Sequence, residues 1–285
     1  MYFKSQFVSY LLAFFVNHGG PGKSEFSFEA MPECGKDAKH ATCELRRVCD
    51  IPDTARCSPP RWSAARGAWV RVETQETAAR RYEKIIESLV TTLQFQKNCK
   101  DRGGNVIEEC DPIPWNGNVQ SLIAAAGSAM YWESGLREDI QYGYAPKGRG
   151  PAGEGCLMQV MPAQARTFAY WLTPEQKKAM SDEEIIQQML GSSEEAMARC
   201  FTVGARILSR MAGQARSVCK SRDDIYEMYS LYGTGSKCSS IGIMDDFARK
   251  RTQTYERIMD KKRTEVLPDW AKLLFKTDET LAVAD

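Results

Sequence analysis

The chain is short of the residues that build most metal and nucleotide sites. Only two histidines occur in 285 residues, His18 and His40, and no two cysteines stand as Cys-x-x-Cys. Zinc-ribbon, thioredoxin-type and histidine-rich metal sites therefore lack their ligands, and neither a metal nor another cofactor is expected. Surplus charge is missing too. The 38 Lys and Arg nearly cancel the 37 Asp and Glu, leaving +1. That removes the electrostatic footprint of a nucleic-acid binder. Basic clusters such as Arg46-Arg47 and Lys261-Lys262-Arg263 read as solvated faces. The uncharged N-terminal run "FVSYLLAFFV" is far shorter than the about 20 residues that span a bilayer, so no stable transmembrane span is expected. No run of alternating apolar and polar residues announces a sheet. Two glycine patterns fail as phosphate cradles. "GPGKS" has Asn17 where a P-loop needs its first glycine, and the glycines at 148, 150 and 153 follow no predicted strand and carry Pro151 inside the turn.

What is abundant is cysteine. Ten are present, at 34, 43, 49, 57, 99, 110, 156, 200, 219 and 238. An even count without metal spacing favours disulfides, and disulfides favour an exported protein, periplasmic or extracellular. Buried free thiols are the alternative. Lys4 before the apolar run fits the start of a secretory signal. No small-x-small cleavage site follows, so residues 1–18 read either as a signal peptide or as an apolar segment docked on the protein itself. Hydrophobic residues at 43% and charged residues at 26% mark a globular chain.

The fold class expected is mainly α. Residues 19–73 look irregular: four cysteines, several prolines, little periodicity, hence a loop-rich, disulfide-stapled segment. From about Thr74, Ala78, Tyr82, Ile85, Ile86, Leu89 and Leu93 recur at helical spacing. Helix starts are then dense up to about residue 263. Pro162 suits a first turn, and Thr173…Gln176, Ser181…Glu184 and Ser192…Glu195 read as capping boxes. Gly191 and Gly213 are expected to close helices, and two more helices are expected in "RDDIYEMYSLYG" and "MDDFARKRTQTYERIMDKKR". Residues 136–156 are rich in glycine and proline and are expected to form a long loop. Residues 264–285 read as a tail.

One residue breaks the pattern. Counting back from Glu133, Met130, Ala129, Ala126 and Leu122 stand three, four, seven and eleven positions away, offsets that share one helix face. An acid thus lies on a stripe that should meet the core, and Gly135 ends the helix just beyond it. Burial penalises the charged carboxylate, and the negative end of the helix dipole adds to that. Trp132 beside it extends the apolar surroundings. A carboxylic acid kept protonated near neutral pH can deliver a proton.

The residues that follow carry a resemblance. Glu133-Ser134 at a helix end, "GCLMQVMPAQA" at 155–165 and "SLYGTG" at 230–235 are similar to three motifs of the lytic transglycosylases and their relatives, the goose-type lysozymes. The likeness covers roughly residues 118–260 of a region 74–263. It departs from the family in three ways. Cys156 is inserted after the glycine, Gly233 replaces an asparagine, and 26 positions separate Glu133 from Gln159 (159 − 133). It implies a lysozyme-like helical catalytic domain that cleaves the β-1,4 MurNAc-GlcNAc bond of peptidoglycan glycan strands.

By the same resemblance, Glu133 is the single acid and base. The N-acetyl group assists, the MurNAc C6 hydroxyl attacks C1, and a 1,6-anhydro product forms. Ser134 would bond near the acid or the sugar. Met158 and Gln159 would line the neighbouring subsite, Tyr232 would orient Glu133 or the substrate, and Tyr131, Trp132, Tyr142 and Tyr144 would offer stacking faces. Hydrolysis, the goose-type outcome, needs further acids, and Asp139 and Glu154 are the candidates. A catalytically inactive glycan-binding module of the same fold is the other alternative. Cys156 has Cys200, Cys219 and Cys238 as candidate partners. Cell-wall turnover, secretion machines and virions all use such proteins.

Overall fold

The computed structural model describes residues 6–18, 25–26, 61–64, 68–72, 75–99, 110–143, 152–191, 193–220, 224–235, 238, 243–260 and 265–274. The chain is mainly helical. Helix α1 (Gln6–His18) is followed by a small antiparallel sheet of β1 (Glu25–Phe26), β2 (Arg61–Ser63) and β3 (Ala68–Val72), ordered β1-β3-β2. Its register pairs Glu25 with Val72 and Trp62 with Trp69. This sheet lies where an irregular segment was expected; its strands are too short for alternation to register in sequence. Cys34, Cys43, Cys49 and Cys57 fall outside the described residues, and so does the expected stapling of that segment.

Helices then follow one another: α2 (Gln75–Asn98), α3 (Val119–Ser134), α4 (Glu138–Gln141), α5 (Pro162–Phe168), α6 (Pro174–Ala179), α7 (Asp182–Gln187), α8 (Glu194–Ser217), α9 (Asp224–Thr234), α10 (Ile243–Met259) and α11 (Asp269–Leu274). Local chemistry explains most boundaries. Asn118 caps α3 by accepting from Ser121 N, and Gly135 closes it in the left-handed region at φ 57°. Thr173 with Gln176 and Ser181 with Glu184 form reciprocal capping boxes. Three expectations shift. Helix α7 ends at Gln187 with Gln188 as its cap, short of the expected Gly191. The cap of α8 is Ser193, one residue beyond the expected Ser192. Gly213 lies inside α8 instead of closing it, because one glycine costs a helix only about 1 kcal/mol, which the packing of its neighbours outweighs.

Helix α3 runs through the centre. Leu122 to Ala126, Ala129 and Met130 are fully buried, and the helix packs against α2, α8 and α10. The α2 stripe of Ala78, Tyr82, Ile85, Ile86, Leu89 and Leu93 is buried as its spacing implies. Helix α1 belongs to the same core. Leu11 to Val16 are at most 4% exposed, and Phe15 rests on α3 where Gly127 has no side chain to obstruct it. Near the other end, Glu265 joins His18 at 3.1 Å, and α11 packs on α2.

Among the described residues the cysteines pair as Cys99–Cys110, Cys156–Cys200 and Cys219–Cys238. No described helix is long and apolar enough to cross a membrane.

Candidate functional site

Glu133 occupies the last turn of α3, at the end of the buried stripe. Its side chain keeps 18% of its exposure and meets Arg251, which reaches across from α10 at 5% exposure. The Arg251 Nη2 donates to Glu133 Oε1 at 2.8 Å, and Nη1 donates to the Phe247 carbonyl at 3.1 Å. Burial dominates the electrostatics and raises the Glu133 pKa above the ordinary carboxylate range. Arg251 opposes the shift through its charge and hydrogen bond, and the negative charge of Glu154 adds to it. The net direction is up, the direction a general acid needs.

Residues 155–160 form a tight turn. Gly155 and Val160 pair across it, N of each to O of the other at 3.1 and 2.9 Å. Cys156 and Gln159 both hold positive φ, 60° and 45°, which costs about 1–3 kcal/mol per residue and persists only where the surroundings impose it. Three fixtures impose it. Cys156 is bonded to Cys200 of α8. The buried Gln141 accepts from Leu157 N while donating to the carbonyls of Met189 and Gly191. Met158 lies on the bare backbone of α8 at Gly204, where an added Cβ would come within 2.6 Å of its Cε.

Tyr232 of α9 bridges the two parts. Its hydroxyl donates to the Met158 carbonyl at 2.6 Å. Burial and then the charge of Glu133 hold its phenol well above the usual range, so it stays a neutral donor. Beneath it, Tyr229 donates to the Ala125 carbonyl and Ser128 donates to the Arg251 carbonyl, tying α3 to α9 and α10.

The expected site residues therefore divide. Glu154 and Tyr232 lie close enough to Glu133 for their charges to interact, and Tyr232 links that group to the turn bearing Gln159. Tyr232 spends its proton on the turn, and Gln159 donates its side-chain amide to the Cys156 carbonyl. Ser134 does not face a sugar: it is 3% exposed, donates to Met130 O and accepts from Leu136 N, closing its own helix. The Met158 side chain is fully buried against α8 and lines no subsite. Tyr142, at 1% exposure, packs the core and offers no stacking face. The hydroxyl of Tyr131 donates to the His18 carbonyl and its ring meets Phe14 and Phe15. Trp132 is held by α10. It is 39% exposed, donates to Thr254 Oγ1 and carries Lys250 over its ring. Asp139 belongs to the short helix α4 instead of an open loop, and its side chain lies outside the described residues, as does all of Tyr144.

Arg251 is the residue that sequence reasoning missed. The signal was present: Ala248, Thr252, Tyr255 and Ile258 form a helical stripe in α10, and Arg251 is the charged residue upon it. The stripe marks Arg251 as a cation on a buried face, and the packing of α10 on α3 decides that it meets Glu133. Comparison of the chain with protein-family models, with curated proteins and with solved structures gives no significant match.

Proposed function

We propose that the protein is a peptidoglycan lytic transglycosylase with a lysozyme-like helical domain, in which Glu133 is the single acid and base. One observation carries the reading: a carboxyl group at a buried helix end, its pKa raised by burial, lies within reach of Tyr232, which bonds the firmly braced turn that bears Gln159. A proton donor for a glycosidic oxygen needs that raised pKa. A turn held at positive φ by a disulfide and a buried glutamine has the fixed backbone that a sugar subsite requires. Peptidoglycan lies outside the cytoplasm, and the three disulfides fit an exported protein acting on the cell envelope or carried by a virion.

Hydrolysis is the second reading, favoured by Glu154, whose charge already acts on Glu133. Muropeptide digestion read by mass spectrometry separates the outcomes. Anhydro products from the wild type that disappear in Glu133→Gln support the lytic reaction. Reducing-end products that disappear in Glu154→Gln support hydrolysis. No release by the wild type from about pH 5 to about pH 8, the span in which a tuned carboxyl works, leaves only the inactive glycan-binding module.

A further inference from the structure

We propose that Arg251 is the positioning residue of this site, holding the Glu133 carboxyl from the buried face of α10 and neutralising the anion left behind when the proton departs. The inference rests on the function proposed above. In the cleavage step the Glu133 O–H bond breaks and the proton goes to the glycosidic oxygen. The C1–O bond breaks with its electron pair on that oxygen. The MurNAc C6 hydroxyl then bonds to C1 and returns its proton to Glu133. Between those events Glu133 is an anion in a desolvated place. Burial alone would make it reluctant to part with its proton, and a fixed cation offsets that where the charge develops.

The guanidinium is built for a fixed, single-point contact. Nη2 takes one carboxylate oxygen and Nη1 is spent on the Phe247 carbonyl, so Arg251 does not clamp both oxygens of Glu133. Its Cζ lies 3.2 Å from the centre of the Phe247 ring, a cation–π seat. That ring in turn lies against Gly233, where an added Cβ would fall 2.6 Å from Cε1. Gly233 is the position at which the third motif departs from its asparagine. The glycine makes room for Phe247, and Phe247 seats Arg251. Among the described residues, the charged and titratable groups around Glu133 are Arg251 from α10, Tyr232 from α9 and Glu154 from the connector, with Tyr229 of α9 acting on Arg251. Arg251 is the cation of that set.

The test reads the free protein and the reaction separately. The carboxyl carbon of Glu133 is titrated by NMR in the wild type, Arg251→Met and Phe247→Leu, with circular dichroism as a check of folding. Arg251→Met is expected to move the Glu133 midpoint up by about one unit or more, since a neighbouring opposite charge lowers a carboxyl pKa by about 1–3 units. Phe247→Leu keeps the charge, frees its seat and moves the midpoint the same way by less. Muropeptide release should fall on its plateau while its basic limb moves to higher pH. A merely structural arginine would not move that limb. If Arg251→Met does not fold, Phe247→Leu carries the test. Unmoved midpoints with release intact overturn the role of Arg251. A moved midpoint with no release by the wild type overturns the proposed function instead.

Discussion

Two arginines stand less than two turns apart on α10 and meet two acids, with opposite consequences. Arg251 is 4% exposed and faces Glu133. Arg257 keeps 41% of its side-chain exposure and joins His18 and Glu265 at the end of α1. Around Arg251, burial wins and the acid rises. Around Arg257, burial also raises Glu265, but Asn17, His18 and Arg257 together outweigh it and the acid falls. The number of partners makes the difference. Desolvation is the largest single contribution at both acids, and the side chains of Glu265 and Glu133 are both mostly buried, at 16% and 18% exposure. At Glu265 three partners, Asn17, His18 and Arg257, together exceed it, whereas at Glu133 Arg251 alone does not. The outer cluster fastens an N-terminal helix. The inner one sets the proton affinity of a single carboxyl.

The largest contrast is expected from removing each cation. Arg251→Met should cost about 3–5 kcal/mol at neutral pH in urea denaturation, because Glu133 is left buried without its partner. The loss should shrink as pH falls and Glu133 takes a proton. Arg257→Met should cost no more than about 1 kcal/mol, as screened pairs do. Equal costs would break the distinction.

A middle-sized effect is expected from the disulfides. Replacing Cys156 and Cys200 by alanine should lose about 2–4 kcal/mol and also abolish muropeptide release, because the turn at Gln159 loses its brace. The same change at Cys219 and Cys238, whose span is 19 residues, should cost stability but spare release. Loss of release from both pairs alike would show that bracing is not local to the turn.

The smallest effect concerns pH. Glu265 has a lowered pKa in the folded chain, so its contribution is present above the ordinary carboxylate pKa and lost as pH falls through the folded value. Glu265→Gln should therefore cost under about 1 kcal/mol near neutrality, a discount for the access of its partners His18 and Arg257 to solvent. Wild type and variant should converge in acid. Glu133 has the reverse sign. Its raised pKa makes the fold lose stability as pH rises from the ordinary value through the raised one, and Glu133→Gln should remove that slope from thermal melts.

Much of the helix plan was legible because it is local. Caps act across three residues and apolar stripes across two turns, so Thr173, Ser181 and the α2 stripe needed no knowledge of the fold. The Glu133 anomaly was legible for the same reason. Roles were harder to read. Tyr142, Met158 and Ser134 have side chains that suit a sugar site, yet the core claims all three. Side-chain type is local information, whereas the side of the chain that meets solvent is settled by distant packing.

By itself the sequence determined that the chain is mainly helical, where several of its helices begin, and that one acid lies on an apolar stripe. Only the tertiary structure decided what that acid faces. Arg251 stands 118 residues away in the chain, Met158 meets Tyr232 across 74, and Cys156 chooses Cys200 across 44. Such separations leave no periodic trace, because the contacts exist only once α3, α9 and α10 have packed their apolar faces. The pKa of Glu133 is a property of that packing, since both the desolvation that raises it and the cation that restrains it arrive with the fold.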